Sequence, residues 1–312
     1  MFHGRRGVVA AVCMLLVTAC SSSTVATTAK PSAVIAVVAG DPITLAQFNT
    51  RYQSALVSIE QGGGPASNAT QTTDLRKTIL RSLIIDTVIK EEATKLGLEA
   101  TPKEIQAQVA SDAANDGGMS RLETDLAGAG GSIAQLEDEI SSDINEQRLE
   151  DVFAKARATM IEQTLAGGAG FIATAKEFSD DTGTSKSGGD LGVLNAATLK
   201  TYDPAFAAAV EALAVGAYTK TPVRDAGGYD IVELYSKSAK GYGVRHILVY
   251  AGNPYNVMDR PNWFAESLFS DLSTLCVQHE IEVTLTNAGG NPCTAPSPSA
   301  SASASPTPTP KG

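Results

Sequence analysis

The sequence predicts an α+β protein, with a mainly helical N-terminal half followed by a smaller part that contains short strands. Apolar residues recur at three- and four-residue steps between residues 74 and 153, which is typical of amphipathic helices. Short β-branched runs bounded by turn residues occur at 34–38 and 281–285. The chain has 312 residues. That length suits about two domains.

The first 19 residues have the pattern of an export signal. Arg5 and Arg6 precede an apolar run at residues 8–17, and small residues then lead to Cys20. The run is much shorter than the ~20 residues of a membrane-spanning helix, so a polytopic membrane protein is excluded. Residues 17–20 resemble a lipobox, which implies cleavage before Cys20 and lipid attachment to its sulfur. The alternative is an ordinary signal peptide with a chance cysteine.

Two further segments are expected to lie outside a folded core. Residues 20–33 have the composition of a flexible tether, and residues 295–312, rich in Pro, Ser, Ala and Thr, that of a disordered tail. The formal charge is −10 for the whole chain and becomes −12 once Arg5 and Arg6 are removed. An acidic protein without a basic stripe is not expected to bind nucleic acid.

The N-terminal half begins with a strand and continues in helices. The run at 34–38 predicts a strand, and Thr44 then stands where an N-cap belongs before a helix that reaches about Gln61. A second helix is predicted over residues 74–96, ending at Gly97.

Two more helix starts are marked by capping residues. Thr101 and Glu104 form a capping box with proline at the first helical position. After a glycine-rich break, Ser132 precedes a long helix that reaches Phe153. The N-terminal half is therefore predicted to be mainly helical.

This half resembles the N-terminal chaperone domain of SurA-like and PrsA-like foldases. The matching text is VVAGDPIT at 37–44, LIID at 83–86, EEATKLGL at 91–98 and TPKEI at 101–105. The order and spacing of these pieces carry the resemblance. It implies a helical chaperone domain at residues 34–155 whose partners are unfolded polypeptides.

The following stretch resembles the parvulin family of peptidyl-prolyl isomerases. The matching features, in order, are FSDD at 178–181, GGDLG at 188–192, PAF at 204–206, TPV at 221–223 and GGYDIV at 227–232. The resemblance implies an inserted parvulin-like domain at about 156–252, built as a small antiparallel sheet with flanking helices.

One element of that family is displaced in this chain. Parvulins begin with a strand containing His, Ile, Leu and Val, but here VRHILV at 244–249 follows the last strand. Because the first and last strands of the parvulin fold are antiparallel neighbours, a short hairpin would bring His246 into the missing position. We predict a circular permutation with the first strand at 243–250. The alternative, a truncated second repeat, would leave buried backbone groups unpaired at about 1–3 kcal/mol each.

The resemblance also implies the site residues. Leu191 and Phe206 match the proline-pocket positions, Asp181 the central polar position, and His246 the first-strand histidine, while Asp230 stands where the family has a second histidine. Because this substitution breaks the histidine pair, a degenerate parvulin domain that binds without catalysing is the alternative.

Prolyl isomerisation needs no nucleophile, since its barrier of ~18–20 kcal/mol is torsional. No cofactor and no metal are therefore expected. His246, Asp181 and Asp230 are the catalytic candidates, and Ser179 and Tyr229 join Leu191 and Phe206 as substrate-binding candidates. In the plainer interpretation, His246 is an ordinary strand histidine.

The C-terminal part has a helical pattern at 262–275 and the strand at 281–285. It resembles the helix and strand that return to the chaperone domain in such foldases, so residues 253–294 are assigned to that return. Cys276 and Cys293 are predicted to form a disulfide, with two free thiols as the alternative. Together these features predict an extracytoplasmic isomerase and chaperone for exported polypeptides, held to the membrane through Cys20.

Overall fold

Residues 32–61, 69–252 and 260–294 are described by a computed structural model of the chain. Several predicted segments lie outside these ranges: the export signal, the lipid site at Cys20, the glycine-rich break at 62–65 and the tail at 295–312. The predicted tether at 20–33 also lies outside them, except for its last two residues. Within them the fold combines long helices with two small antiparallel sheets, so the predicted α+β class is confirmed.

The first sheet joins the N-terminal strand to a strand from the far end of the chain. β1 (Val34–Val38) lies in the centre, with β2 (Asp41–Thr44) on one side and β8 (Ile281–Val283) on the other. Both pairings are antiparallel. The sequence predicted a turn before Thr44, but β2 itself was missed because four residues that include a proline give a weak strand signal.

Five helices follow, and the starts of the first, third and fifth agree with the capping residues Thr44, Thr101 and Ser132. They are α1 (Leu45–Gln61), α2 (Ala69–Lys95), α3 (Pro102–Asp116), α4 (Met119–Gly128) and α5 (Ile133–Ala166). The capping box of Thr101 and Glu104 is present, and the Ser132 side chain accepts a hydrogen bond from the Gln135 N–H. None of the helices in the described ranges is long and apolar enough to cross a membrane.

The C-terminal helix completes the helical core. α9 (Asn262–Val277) buries Leu272 and Leu275 against β1 and α2, and buries Phe264 and Leu268 against α2 and α5. The strand β8 that follows α9 pairs with β1 over a sequence separation of more than two hundred residues. The C-terminal helix and strand thus pack against β1, α2 and α5.

Two cysteines connect the end of α9 to the segment after β8. The sulfur atoms of Cys276 and Cys293 lie 2.18 Å apart, and their Cα atoms lie 5.1 Å apart. This placement supports the predicted disulfide.

Replacing both Cys276 and Cys293 with serine is expected to lower the free energy of unfolding by about 3 kcal/mol, because a cross-link over a short loop restricts the unfolded chain. Guanidinium denaturation of the variant and of the reduced wild type measures the loss. The two losses should agree. A wild type whose stability does not respond to reductant would contradict the bond.

The helix α5 is shared between two cores. Its first half buries Ile140 and Leu149 among the other helices, whereas its second half buries Ala158 and Ile161 against the second sheet. The predicted boundary between residues 155 and 156 falls inside this continuous helix. The domain boundaries therefore stay a prediction.

The second sheet is built from the chain after α5. Its elements are α6 (Phe171–Phe178), β3 (Asp190–Leu194), α7 (Ala196–Leu199), α8 (Pro204–Ala212), β4 (Ala217–Tyr218), β5 (Val223–Arg224), β6 (Gly228–Ser238) and β7 (Gly241–Tyr250). The strand order is β3-β7-β6-β4, and β5 also pairs with β6.

The strand that carries His246 lies inside this sheet. β7 is antiparallel to β6 along nearly its whole length, with His246 opposite Val232, and its other edge pairs with β3. The pairing of residues 243–250 with 228–236 is therefore confirmed. Because β7 fills the position between β3 and β6, the ladder is not interrupted there, which disfavours the truncated-repeat alternative.

Candidate active site

The two faces of the second sheet bury different side chains, because successive residues of a strand point to opposite sides. On one face, Val232 and Val244 pack with Leu199 of α7 and Phe206 of α8. The other face is covered by α5 and α6. His246 belongs to the first face, two residues after Val244.

His246 is held between two carboxylates. Its Nδ1 lies 2.7 Å from Oδ1 of Asp230, and its Nε2 lies 2.9 Å from Oδ2 of Asp181. The imidazole is nearly buried, with 11% of its side chain exposed, and Asp230 is buried more deeply at 4%. Both ring nitrogens therefore have an acidic partner, and the ring orientation is fixed from both sides.

The turn after α6 brings Asp181 to this position. The Ser179 hydroxyl oxygen accepts hydrogen bonds from the Leu248 N–H at 3.1 Å and from the Asp181 N–H at 3.3 Å. The Asp180 N–H donates to the Leu248 carbonyl at 2.8 Å. Ser179 thus ties the turn to β7, and the structure gives it a role in placing Asp181.

Thr184 is a member of the network that the sequence did not reveal. Its hydroxyl donates to Oδ2 of Asp181 and lies 3.2 Å from Nε2 of His246. The Gly183 N–H also donates to Asp181, at 2.9 Å. An aspartate followed by glycine two residues later signals this kind of turn, but nothing in the sequence directs Thr184 towards a residue on β7.

The surroundings shift the pKa values of all three ionisable groups. Burial lowers the pKa of His246, but the bonds and charges of Asp230 and Asp181 outweigh it, so this pKa is raised overall. Burial, helped by Asp225 and opposed by His246, raises the pKa of Asp230 to about 7. For Asp181, burial acts upward, but the bonds from Thr184, His246 and Gly183 together lower the pKa.

The two carboxylates therefore shift the titration of His246 towards its protonated form. Thr184, His246 and Asp230 stand in the order of a nucleophile, a base and an orienting acid, the arrangement found in acyl-transfer enzymes. However, the Thr184 hydroxyl donates to Asp181, and Asp181 also occupies Nε2 of His246. The contacts hold the imidazole in one orientation and do not prepare Thr184 as a nucleophile.

The apolar part of the site lies next to the imidazole. The Phe206 ring meets His246 edge-on, with centroids 6.1 Å apart, and stacks on Tyr202 at 5.1 Å. Phe206 is only 2% exposed, and Leu191 packs against the same cluster. The structure thus brings Phe206 and Leu191 to the same face of the sheet as His246.

Tyr229 lies elsewhere, and its assignment as a substrate-binding residue is corrected. Its hydroxyl donates to Oδ2 of Asp151 at 2.9 Å, and its ring packs with α5 and α6 on the other face of the sheet. Burial and the Asp151 carboxylate raise the pKa of Tyr229 to about 12. The physical reason is strand alternation, since Asp230 faces His246 and its neighbour must point away.

The GGDLG motif has a steric explanation. Gly189 has φ +76°, and a Cβ built on it would lie 2.0 Å from the carbonyl oxygen of His246. The Gly189 carbonyl in turn accepts a hydrogen bond from the His246 N–H at 2.9 Å. Gly189 therefore lets the chain approach β7 closely enough to hold His246.

Gly189→Ala is expected to cost at least about 2 kcal/mol of stability more than Gly192→Ala, because only the former adds overpacking to backbone strain. Gly192 is a matched control, since its φ is +75° and a Cβ there would meet nothing within 4 Å. Urea denaturation of the two variants measures the difference. Equal losses would show that the contact with His246 is not restrictive.

Comparisons with known proteins identify two domain families in the chain. The family model described as "SurA-like N-terminal domain" matches residues 4–150, and the one described as "PPIC-type PPIASE domain" matches residues 140–236. The strand β7 lies beyond the second match. The chain is therefore one that joins a SurA-like N-terminal domain to a PPIC-type peptidyl-prolyl isomerase domain.

The individual relatives are named chaperone SurA or foldase PrsA. The chain is 43% identical over 84 residues to the chaperone SurA of Chromohalobacter salexigens, covering 27% of this chain and 18% of that one. It is 40% identical over 76 residues to the foldase PrsA of Latilactobacillus sakei, covering 24% and 25%. With PrsA of Caldanaerobacter subterraneus it shares 25% identity over 240 residues, which covers 67% of this chain and 75% of the relative.

Solved structures with detectable similarity include PrsA from Bacillus anthracis, at 18% identity and a TM-score of 0.22, covering 65% of this chain and 95% of that one. A SurA-like chaperone of Campylobacter jejuni has 14% identity and a TM-score of 0.28, with coverage of 81% and 99%. The chain spans no more than a quarter of the length of the first two curated relatives. The two family matches overlap at residues 140–150 and together span residues 4–236 of this chain.

Proposed function

We propose that the protein is an extracytoplasmic, membrane-anchored folding factor that catalyses prolyl cis–trans isomerisation in exported polypeptides and shields them as a chaperone. The observation that carries this proposal is His246, fixed between Asp181 and Asp230 beside the aromatic side chain of Phe206. The proposal keeps the division into a chaperone domain at 34–155, an isomerase domain at 156–252 and a C-terminal return at 253–294.

The chemistry asks the site to hold a prolyl peptide bond and to favour its twisted form. The barrier of ~18–20 kcal/mol comes from amide resonance, and it falls when the planar amide loses hydrogen bonds to water. Phe206 and Leu191 supply an apolar surface for the proline ring. The His246 imidazole, held between two carboxylates, supplies a fixed polar group near the amide, and its protonated form would favour the charge distribution of the twisted state.

Asp230 takes the place of the family's second histidine without disrupting the network. Its carboxyl is buried and contacts Nδ1 of His246 at 2.7 Å, so it orients the ring from inside the sheet. Because its pKa is raised to about 7, this carboxyl can share a proton with the imidazole near neutral pH. We therefore propose that His246, Asp181 and Asp230 act as one unit.

The chaperone activity is assigned to the helical part. A groove of about 530 Å³ lies between β2, α1, α2 and α5, lined by apolar residues such as Ile43 and Leu83 together with charged residues such as Lys90 and Arg51. A mixed lining suits weak binding of many unfolded segments better than tight binding of one ligand. Unfolded, newly exported polypeptides are the proposed partners.

The membrane anchor rests on the sequence at Cys20 alone. The lipobox-like residues 17–20 support lipid attachment to the Cys20 sulfur after cleavage of the signal. Expression in a bacterial host that is fed a labelled fatty acid tests this step. Label should appear on the wild type and be lost in Cys20→Ala, and an unlabelled wild type would show an unanchored protein.

A second candidate function is a binding module whose isomerase domain has no activity. The near-complete burial of Phe206, whose ring stacks on Tyr202, favours it, because a proline ring could contact Phe206 only after neighbouring side chains moved.

Refolding of a denatured client whose slow phase is prolyl isomerisation separates the two functions. The foldase is expected both to accelerate the slow phase and to suppress aggregation. Suppressed aggregation with an unchanged slow phase would establish the second candidate. A protein that neither accelerates the slow phase nor suppresses aggregation would contradict both proposals.

A further inference from the structure

The residue next to the site carboxylate Asp181 contacts three other parts of the fold. Oδ1 of Asp180 lies 3.2 Å from Nη1 of Arg157 on α5. Its Oδ2 accepts hydrogen bonds from the Tyr250 N–H on β7 at 2.9 Å and from Nε1 of Trp263 on α9 at 3.0 Å. The Asp180 side chain is therefore a junction between α5, β7 and α9.

Trp263 is the only tryptophan of the chain, and it contacts both Asp180 and Arg157 at this junction. The Arg157 guanidinium lies over its ring, 5.1 Å from the centroid. Trp263 also packs against two apolar clusters, one between α5 and the second sheet and one among α2, α5 and α9. It connects the helical core to the sheet that carries His246.

The contacts of Asp180 and Asp181 belong to one short turn. Asp181 bonds to His246, while the side chain of the preceding residue bonds to Arg157 and Trp263. A second bond of Arg157, from Nη2 to the Phe178 carbonyl at 3.2 Å, fixes the start of the same turn. A shift of α9 at Trp263 must therefore displace this turn, and with it the carboxylate that contacts the imidazole.

We propose that Asp180 and Trp263 are positioning residues of the isomerase site, which make the contact between Asp181 and His246 depend on the docking of α9. This inference rests on the proposed function for its catalytic meaning. Its structural content is a coupling between the helical part and the network around His246. Because coupling is reciprocal, a change at His246 must also be felt at Trp263.

Trp263→Phe in the full-length protein is the direct test. The substitution keeps an aromatic ring but removes the Nε1 donor, and it changes no charge. The readout is an NMR titration of the His246 imidazole. It should titrate about 1 pH unit lower than in the wild type, because Asp181 supplies one of the two opposite charges at the ring.

Leu275→Ala is the matched control, since Leu275 packs α9 against β1 and α2 far from Asp180. It should lower the unfolding temperature without moving the His246 titration. A Trp263→Phe titration that matches Leu275→Ala would overturn the proposal. Because the titration does not require isomerase activity, an inactive wild type would contradict the proposed function and leave this test intact.

The effect of a change at His246 on Trp263 can be measured in a protein that keeps its tryptophan. His246→Ala is expected to shift the fluorescence emission of Trp263, whereas His279→Ala, at a site outside this network, should leave it unchanged. Identical emission from His246→Ala and the wild type would overturn the coupling even if Trp263→Phe failed to fold.

Discussion

Replacing Arg260 with methionine should destabilise the protein by about 3–5 kcal/mol, because it leaves two buried carboxylates without their cation. The Arg260 guanidinium lies 3.1 Å from Oε1 of Glu146 and 2.5 Å from Oε2 of Glu150. The side-chain exposures are 0% for Arg260, 6% for Glu146 and 1% for Glu150. This triad joins the start of α9 to the middle of α5, and urea denaturation measures its loss.

Arg121→Met is the control for the loss of an arginine. Arg121 pairs with Asp125 within α4, with 65% and 43% of the two side chains exposed. An exposed pair of this kind contributes less than about 1 kcal/mol. Losses of similar size in the two arginine variants would show that the buried triad adds no more to stability than a surface pair.

The cost of removing Arg260 should also depend on pH. Burial, opposed by Arg260, raises the pKa values of Glu146 and Glu150 to about 7 from an ordinary 4.5. The native state therefore keeps protons that the unfolded state releases, so stability from these groups is full below pH 4.5 and falls as the pH rises through 7. We expect Arg260→Met to be most destabilised at pH 8 and least at pH 5. A loss of unfolding free energy that is the same at both pH values would show that Glu146 and Glu150 do not titrate with raised pKa values in the folded protein.

Asp230→Ala should lower the kcat/KM for prolyl isomerisation by about 10–100-fold, equivalent to ~1.4–2.7 kcal/mol of transition-state stabilisation. The reason is that Nδ1 of His246 loses its only carboxylate partner on the inner side, so the ring is no longer held in position. The pKa of His246 should fall in the same variant, because one of the two groups that raise it is gone.

Asp230→His is the matched variant, since it restores the residue that the parvulin family carries at this position. It is expected to retain more activity than Asp230→Ala. Circular dichroism confirms that each variant is folded before activities are compared. Full activity in Asp230→Ala would show that position 230 does not orient His246, and equal losses in the two variants would show that a histidine cannot replace the carboxylate there.

Local signals predicted much of the fold. The capping box at Thr101 and Glu104 marked the start of α3, because its bonds lie within three residues. α4 was missed, since Gly118 at its start offers no side-chain cap and only Leu122 of its residues is buried. A helix of ten residues with one buried side chain owes its existence to packing against its neighbours.

The site was predictable where it depended on family position and unpredictable where it depended on tertiary contacts. His246, Asp181 and Asp230 come together because β7 lies in the centre of the sheet. The displaced HILV sequence at 246–249 predicted that strand. Thr184 and Trp263 could not be found, since their partners lie dozens of residues away in sequence. The error on Tyr229 was avoidable, because two neighbouring strand residues cannot face the same side.

We propose that a strand displaced to the end of the parvulin-like domain supplies the histidine of a working isomerase site. A protease-coupled assay on a short proline peptide measures this activity, with wild type, His246→Ala and Phe206→Ala compared at equal concentration. We expect acceleration by the wild type and its loss in both variants. Acceleration that survives in His246→Ala, or a folded wild type with none, would contradict it.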